Sequence, residues 1–225
     1  MECRHVLVYV ENINGRLNTS SFELLTKARE VADAFSGRVY SVFLSAEDDP
    51  FREAREVIAR GSDVAIVYRV RRELLPNYLL HAEALTSAIR RTRPALVLVS
   101  ATPWGRSLAP RVAARLGVGL TADCLDVYVD ESREIVQVRP AFTGNIIAHI
   151  KTSSSPVMAT IRPGVFSPPK PDYSRSGEVI LADEPLTPPE GLEVVGLSRE
   201  RSVRLSEASV IVAVGRGLRR REGVA

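Results

Sequence analysis

Short apolar runs rich in β-branched and aromatic residues alternate with longer stretches whose apolar positions recur every three or four residues. His5 to Val10 (H-V-L-V-Y-V) reads as a fully buried strand, followed by a polar loop from Glu11 to Asn18 that carries Gly15. Thr19 or Ser20 then caps a helix, with Glu23 placed to complete a capping box. Phe22, Leu25, Ala28, Ala32 and Phe35 form its buried stripe and Gly37 ends it. The alternation continues with a strand at Val39 to Leu44, a helix at Phe51 to Ala59 and a strand at Val64 to Tyr68. A helix at Tyr78 to Arg91, a strand at Ala95 to Ser100 and a helix at Ser107 to Leu116 complete it. Strands and helices in this order predict a parallel sheet covered on both faces, with right-handed crossovers.

Beyond the last of these helices the texture changes. Cys124 to Val129, Ile135 to Arg139, Ile146 to Lys151 and Val157 to Ile161 are short and closely spaced, and predict an antiparallel extension of the sheet. Ser167 to Glu190 is proline-rich and extended, apart from a strand at Glu178 to Ala182. Residues 1–198 make one α/β domain, and the charged stretch 199–207 reads as a linker. In 208–225, Ala208 to Gly217 (A-S-V-I-V-A-V-G-R-G) starts a fresh buried strand ending in a glycine turn. It reads as the truncated start of a second domain.

Composition narrows the chemistry. The 30 basic residues are nearly balanced by 27 acidic ones, so the formal charge of +3 does not single out nucleic acid as a partner. The clusters Arg69 to Arg72, Arg90 to Arg93 and Arg219 to Arg221 read as solvated faces. Cys3 and Cys124 are too few for a disulfide framework, which fits a reducing, cytoplasmic setting. His5, His81 and His149 show no metal-ligand spacing. No run approaches the ~20 apolar residues that a membrane span needs.

Five places carry candidate chemistry. The turn from Thr102 to Ser107 follows a strand and opens a helix, where backbone N–H groups can hold an anion, but one glycine is weak support. The loop after the first strand begins with Glu11, and an acid there repels phosphate. Asp123 and Asp126 flank a predicted strand residue and point to opposite faces, so they suit strand ends better than acid–base work. Arg139 and Arg162 end neighbouring predicted strands as a basic spot without a nucleophile, and Cys124 reads as a buried small hydrophobe. Gly215, Arg216 and Gly217 follow a buried strand, where open α/β sheets bind ligands. There two glycines admit a cofactor's backbone approach and the arginine supplies a planar cation.

Three segments in fixed order carry a family resemblance: S-A-T-P-W-G-R-S-L-A-P-R-V-A-A-R-L-G-V-G-L-T-A-D-C from Ser100 to Cys124, R-P-A-F-T-G-N-I from Arg139 to Ile146, and M-A-T-I-R-P-G-V-F from Met158 to Phe166. Together they resemble the amino-terminal domain of electron transfer flavoprotein α subunits (the FixB-type family). The resemblance implies a three-layer, Rossmann-like sheet of the adenine-nucleotide-hydrolase type. It also implies a heterodimer with a β subunit, whose FAD takes electrons from dehydrogenases and passes them to a quinone reductase or similar acceptor. It implies no catalytic residue and no metal. FAD is held mainly by the α carboxy-terminal domain, so this chain alone is not expected to retain it, and only Arg216 with its flanking glycines carries over as a flavin contact. Val214 departs from the family pattern, in which a glycine is common there. The alternative is a stand-alone nucleotide-binding domain of the universal-stress or pyrophosphatase type, which would need a glycine-rich phosphate loop that is not found.

Overall fold

In the computed structural model, residues 4–13, 15–184, 186, 194–196, 208, 210–215 and 217 are described. The chain divides into two units, Met1–Val194 and Val195–Ala225.

The first unit runs β1 (Val6–Tyr9), α1 (Thr19–Ala34), β2 (Val39–Ser45), α2 (Pro50–Ala59), β3 (Val64–Arg69), α3 (Tyr78–Thr92), β4 (Leu96–Ser100), α4 (Pro103–Leu116) and β5 (Leu120–Cys124). Then come β6 (Asp126–Val129), β7 (Ile135–Ala141), β8 (Ile146–Lys151), β9 (Val157–Ile161) and β10 (Glu178–Ala182). Seven strands form a sheet in the order β10-β3-β2-β1-β4-β9-β5, and every pairing in it is parallel. Strands β6, β7 and β8 form a second, antiparallel sheet.

The period-two geometry of a strand explains why β1, and β4 up to its last residue Ser100, are apolar at successive positions. Val6, Val8, Leu96 and Leu98 enter the core beneath α1 and α2, while Leu7, Tyr9, Val97 and Val99 enter the core beneath α3. Each such buried aliphatic side chain contributes roughly 1.5–3 kcal/mol.

The expected α/β architecture, mostly parallel with an antiparallel addition, is the one observed. The assignment of single elements differs in five places. Val157–Ile161 lies parallel between β4 and β5 instead of in the antiparallel part. All five of its residues are buried, as a strand covered on both faces requires, whereas β8 is largely exposed. The run read as one strand from Cys124 is two, because the chain leaves the main sheet after Cys124 and starts β6 at Asp126.

Helix α1 is capped by Asn18, whose side chain accepts from Ser20 N–H, and not by Thr19 or Ser20. Asn18 holds the extended backbone a cap requires, while the Ser20 hydroxyl turns inward to meet the Ser100 hydroxyl at 3.0 Å. Glu23 closes no capping box there; it accepts from Gly164 N–H at 2.7 Å. Helix α4 begins at Pro103, four residues before the expected start, because Thr102 caps it and proline suits a first-turn position. In the second unit, the described residues Val210–Gly215 form no strand, and Val210 and Val212 are 80% and 84% exposed. A strand needs neighbours for its backbone groups, and the described residues of this unit supply none.

Candidate functional site

In an open parallel sheet, ligands bind beyond the carboxyl ends of the strands where the strand order reverses. Here that point lies between β1 and β4, flanked by the amino ends of α1 and α4. The amino end of a helix, with N–H groups that lack intrahelical partners and the positive end of the dipole, is a natural anion receptor.

The chain supplies its own anion. Glu11, one residue past Val10 at the end of the first apolar run, is only 5% exposed. One carboxylate oxygen accepts from Asn18 Nδ2 at 2.8 Å, and Asn18 caps α1. The other accepts from the Thr102 hydroxyl at 2.5 Å, and that hydroxyl in turn accepts from Gly105 N–H at 3.0 Å to cap α4. The Glu11 N–H donates to Ser21 Oγ at 3.0 Å. One carboxylate therefore ties together the caps of two helices. The sequence reading saw Glu11 as a repulsive charge; the structure also makes it the occupant.

Polar groups extend this arrangement to the end of β2. Asn12 Nδ2 donates to Leu44 O at 3.0 Å and to Glu53 Oε1 at 2.8 Å, and the Ser45 hydroxyl donates to Glu53. Burial is the main cause that raises the Glu53 carboxyl above its ordinary range. On the other face of the sheet, His81 is fully buried. Its Nε2 lies 2.7 Å from Leu75 O and therefore donates, so Nδ1 accepts from the Tyr9 hydroxyl at 2.7 Å. Trp104 Nε1 donates to the Tyr9 oxygen at 3.0 Å. Desolvation holds this imidazole neutral, with its pKa lowered to about 4. Neither network was found from the sequence. The signal for His81 was present in its helical spacing with Leu85 and Ala88, both buried on α3.

The other candidates resolve into structural roles. Asp123 and Asp126 sit on different strands and not on one. Asp123 accepts from Arg162 Nη2 at 2.7 Å and Arg106 Nη2 at 3.1 Å, and the Arg162 hydrogen bond is the main cause that holds its carboxyl low. Asp126 pairs with Lys27 at 3.0 Å. The basic spot expected at Arg139 and Arg162 thus has a carboxylate against Arg162, while Arg139 Nε donates to Pro140 O at 3.4 Å. Cys124 is fully buried, and burial pushes its thiol up to about 12. Arg216 lies outside the described residues. A Cβ at Gly215 or Gly217 would meet nothing within 4 Å. Among the described residues, no group of three or more His, Cys, Asp or Glu is placed to hold a metal, and no helix is long and apolar enough to cross a membrane.

A doubly wound Rossmann-like domain, with its ligand crevice closed by its own carboxylate, is the class that these features define. A profile of the electron transfer flavoprotein domain matches residues 6–186. The chain is 38% identical over 221 residues to the lactate dehydrogenase (NAD(+),ferredoxin) subunit LctC of Acetobacterium woodii, covering 96% of this chain and 52% of that protein. It is 36% identical to the electron transfer flavoprotein subunit alpha of Thermoanaerobacterium thermosaccharolyticum (96% and 66% covered) and 36% identical to the protein FixB of Azotobacter vinelandii (99% and 64% covered). The chain belongs to the electron transfer flavoprotein family, on its α-subunit, FixB-type side. It spans about half to two thirds of the length of these curated relatives. The stand-alone nucleotide-binding reading falls away, since neither the relatives nor the filled crevice favours it.

Proposed function

We propose that this chain is the amino-terminal part of the α subunit of a heterodimeric electron transfer flavoprotein working in the cytoplasm. In the whole protein, FAD carries electrons from dehydrogenases to a quinone reductase or similar acceptor, and this part acts as a scaffold for the β subunit without catalysing a reaction itself. The observation that carries the scaffold role is Glu11: the crevice at the point where the strand order reverses is occupied by a side chain that ties together the caps of two helices. In this reading residues 1–198 are the α/β domain, 199–207 a linker and 208–225 the start of the FAD-binding domain.

An exposed apolar row on the small sheet supports a partner surface. Phe142, Ile146 and Ile147 are 79%, 51% and 48% exposed around the β7–β8 hairpin, and among the described residues β8 pairs only with β7. Replacing Ile146 and Ile147 together by lysine should weaken association with the β subunit about a hundredfold, since buried apolar anchors dominate such interfaces. The thermal midpoint should be almost unchanged, because neither side chain is in the core. Calorimetric titration with the β subunit reads the effect, and unchanged affinity would remove the hairpin from the interface.

The flavin contact assigned to Gly215, Arg216 and Gly217 rests on family resemblance. Purified alone, the 225-residue chain should show no stoichiometric flavin absorbance. In a full-length α subunit paired with its β partner, Arg216→Ala should cut FAD affinity roughly tenfold to a hundredfold, the worth of one charge-assisted contact. Lysine should rescue only part of it, having lost the planar fork. Normal FAD retention in the alanine variant would reduce Arg216 to a turn residue.

A further inference from the structure

Helices α3 and α4 end side by side in a concentration of unpaired positive charge. Arg90 and Arg91 lie in the last turn of α3, Arg93 caps it in a left-handed conformation, and Arg115 lies in the last turn of α4. All four are exposed, and among the described residues none of them forms an ion pair. The carboxyl end of a helix dipole favours a cation, but that need is met by one or two. Against this cluster lies a cavity of about 410 Å³. Its more buried lining is apolar (Ile89, Pro94, Leu116 and Pro156), Arg90 and Arg93 are its charged groups, and among the described residues no carboxylate lines it. Arg90 also lines a neighbouring cavity of about 320 Å³ together with Arg115, Glu83 and Glu184. There Glu184 is already engaged by the hydroxyls of Tyr68 and Ser87.

We propose that this face docks an acidic segment of a partner protein, which seats an apolar side chain in the cavity and places carboxylates on Arg90 and Arg93. Charge complementarity fixes the sign of the partner. Arg90 lines both cavities, with Arg93 in one and Arg115 in the other, so the positive charge spans two cavities and the occupant is an extended segment with several carboxylates. The planar forks of arginine match carboxylates two bonds at a time. Nucleic acid is disfavoured because, among the described residues, no aromatic side chain lines either cavity to stack a base. The apolar lining supplies what charge alone lacks, a site for one anchoring side chain.

The test is calorimetric titration of the 225-residue chain with a short synthetic peptide of glutamates around a central leucine, at low and moderate salt. The Arg90→Glu/Arg93→Glu variant should lower affinity at least about tenfold. Arg69→Glu/Arg71→Glu makes the same change in net charge at exposed arginines that do not line the cavity, and should stay within about twofold. Exchanging the central leucine for serine should weaken binding to the wild type but leave binding to the Arg90→Glu/Arg93→Glu variant unchanged. No binding by the wild type, equal losses in both double variants, or no effect of the leucine exchange would overturn the proposal. So would equal or tighter binding of oligothymidylate or of vesicles containing phosphatidylserine.

Discussion

Gly105→Ala should destabilise the protein by about 3 kcal/mol or more, a large share of the roughly 5–15 kcal/mol that holds an ordinary domain folded. Helix propensity alone predicts the opposite, because alanine is favoured over glycine in a helix by up to about 1 kcal/mol. Close approach decides the sign. A Cβ at position 105 would sit 1.8 Å from the carbonyl oxygen of Ser100 and 3.1 Å from Val99 Cγ1. That carbonyl belongs to β4, where Ser100 is in register with Ile161 of β9, so it cannot withdraw without opening the middle of the sheet. Moving α4 outward instead would break the hydrogen bond of Gly105 N–H to Thr102 and the support of Glu11. Urea unfolding followed by circular dichroism measures the change, and an alanine variant as stable as the parent would refute the packing argument.

The second large effect is acid sensitivity centred on His81. In the unfolded chain this imidazole titrates near 6.5, while in the folded protein burial lowers its pKa to about 4. Above pH 6.5 it is neutral in both states, and its surroundings impose no charging penalty. As pH falls through 6.5 the unfolded chain gains a proton that the folded protein refuses, so stability declines until about pH 4, where the folded form accepts it too. Between pH 7 and pH 5 this one group removes about 2 kcal/mol. His81→Gln, which cannot titrate, should show a loss over that interval smaller by that amount. Urea titrations of both proteins at the two pH values give the difference directly, and parallel slopes would mean that His81 titrates normally.

Much of the fold was legible because burial and period speak through composition. A strand covered by helices on both faces must be largely apolar, and Val6–Tyr9 and Leu96–Val99 are so in the sequence. The same signal was present in Val157–Ile161, but its neighbours in the chain are antiparallel, and proximity outweighed composition in the reading. Pairing partners are set by the route of the chain across the sheet, which local pattern does not encode. The crevice was half legible. An acid at position 11 excluded phosphate by charge, yet its bonds to Asn18 and Thr102 join residues up to 91 positions apart, a juxtaposition that only the folded sheet creates. His81 was obscured for a similar reason: its partners Tyr9 and Trp104 come from two other elements.

The Glu11 carboxylate has a consequence for regulation. A ligand held at such a crevice by helix amino ends comes and goes with its concentration, and the packing around it can report that concentration. A covalently attached carboxylate has no dissociation rate. The junction of α1 and α4 is therefore indifferent to the supply of nucleotides and inorganic anions. A position that in open α/β sheets can sense a metabolite serves here as a fixed mount.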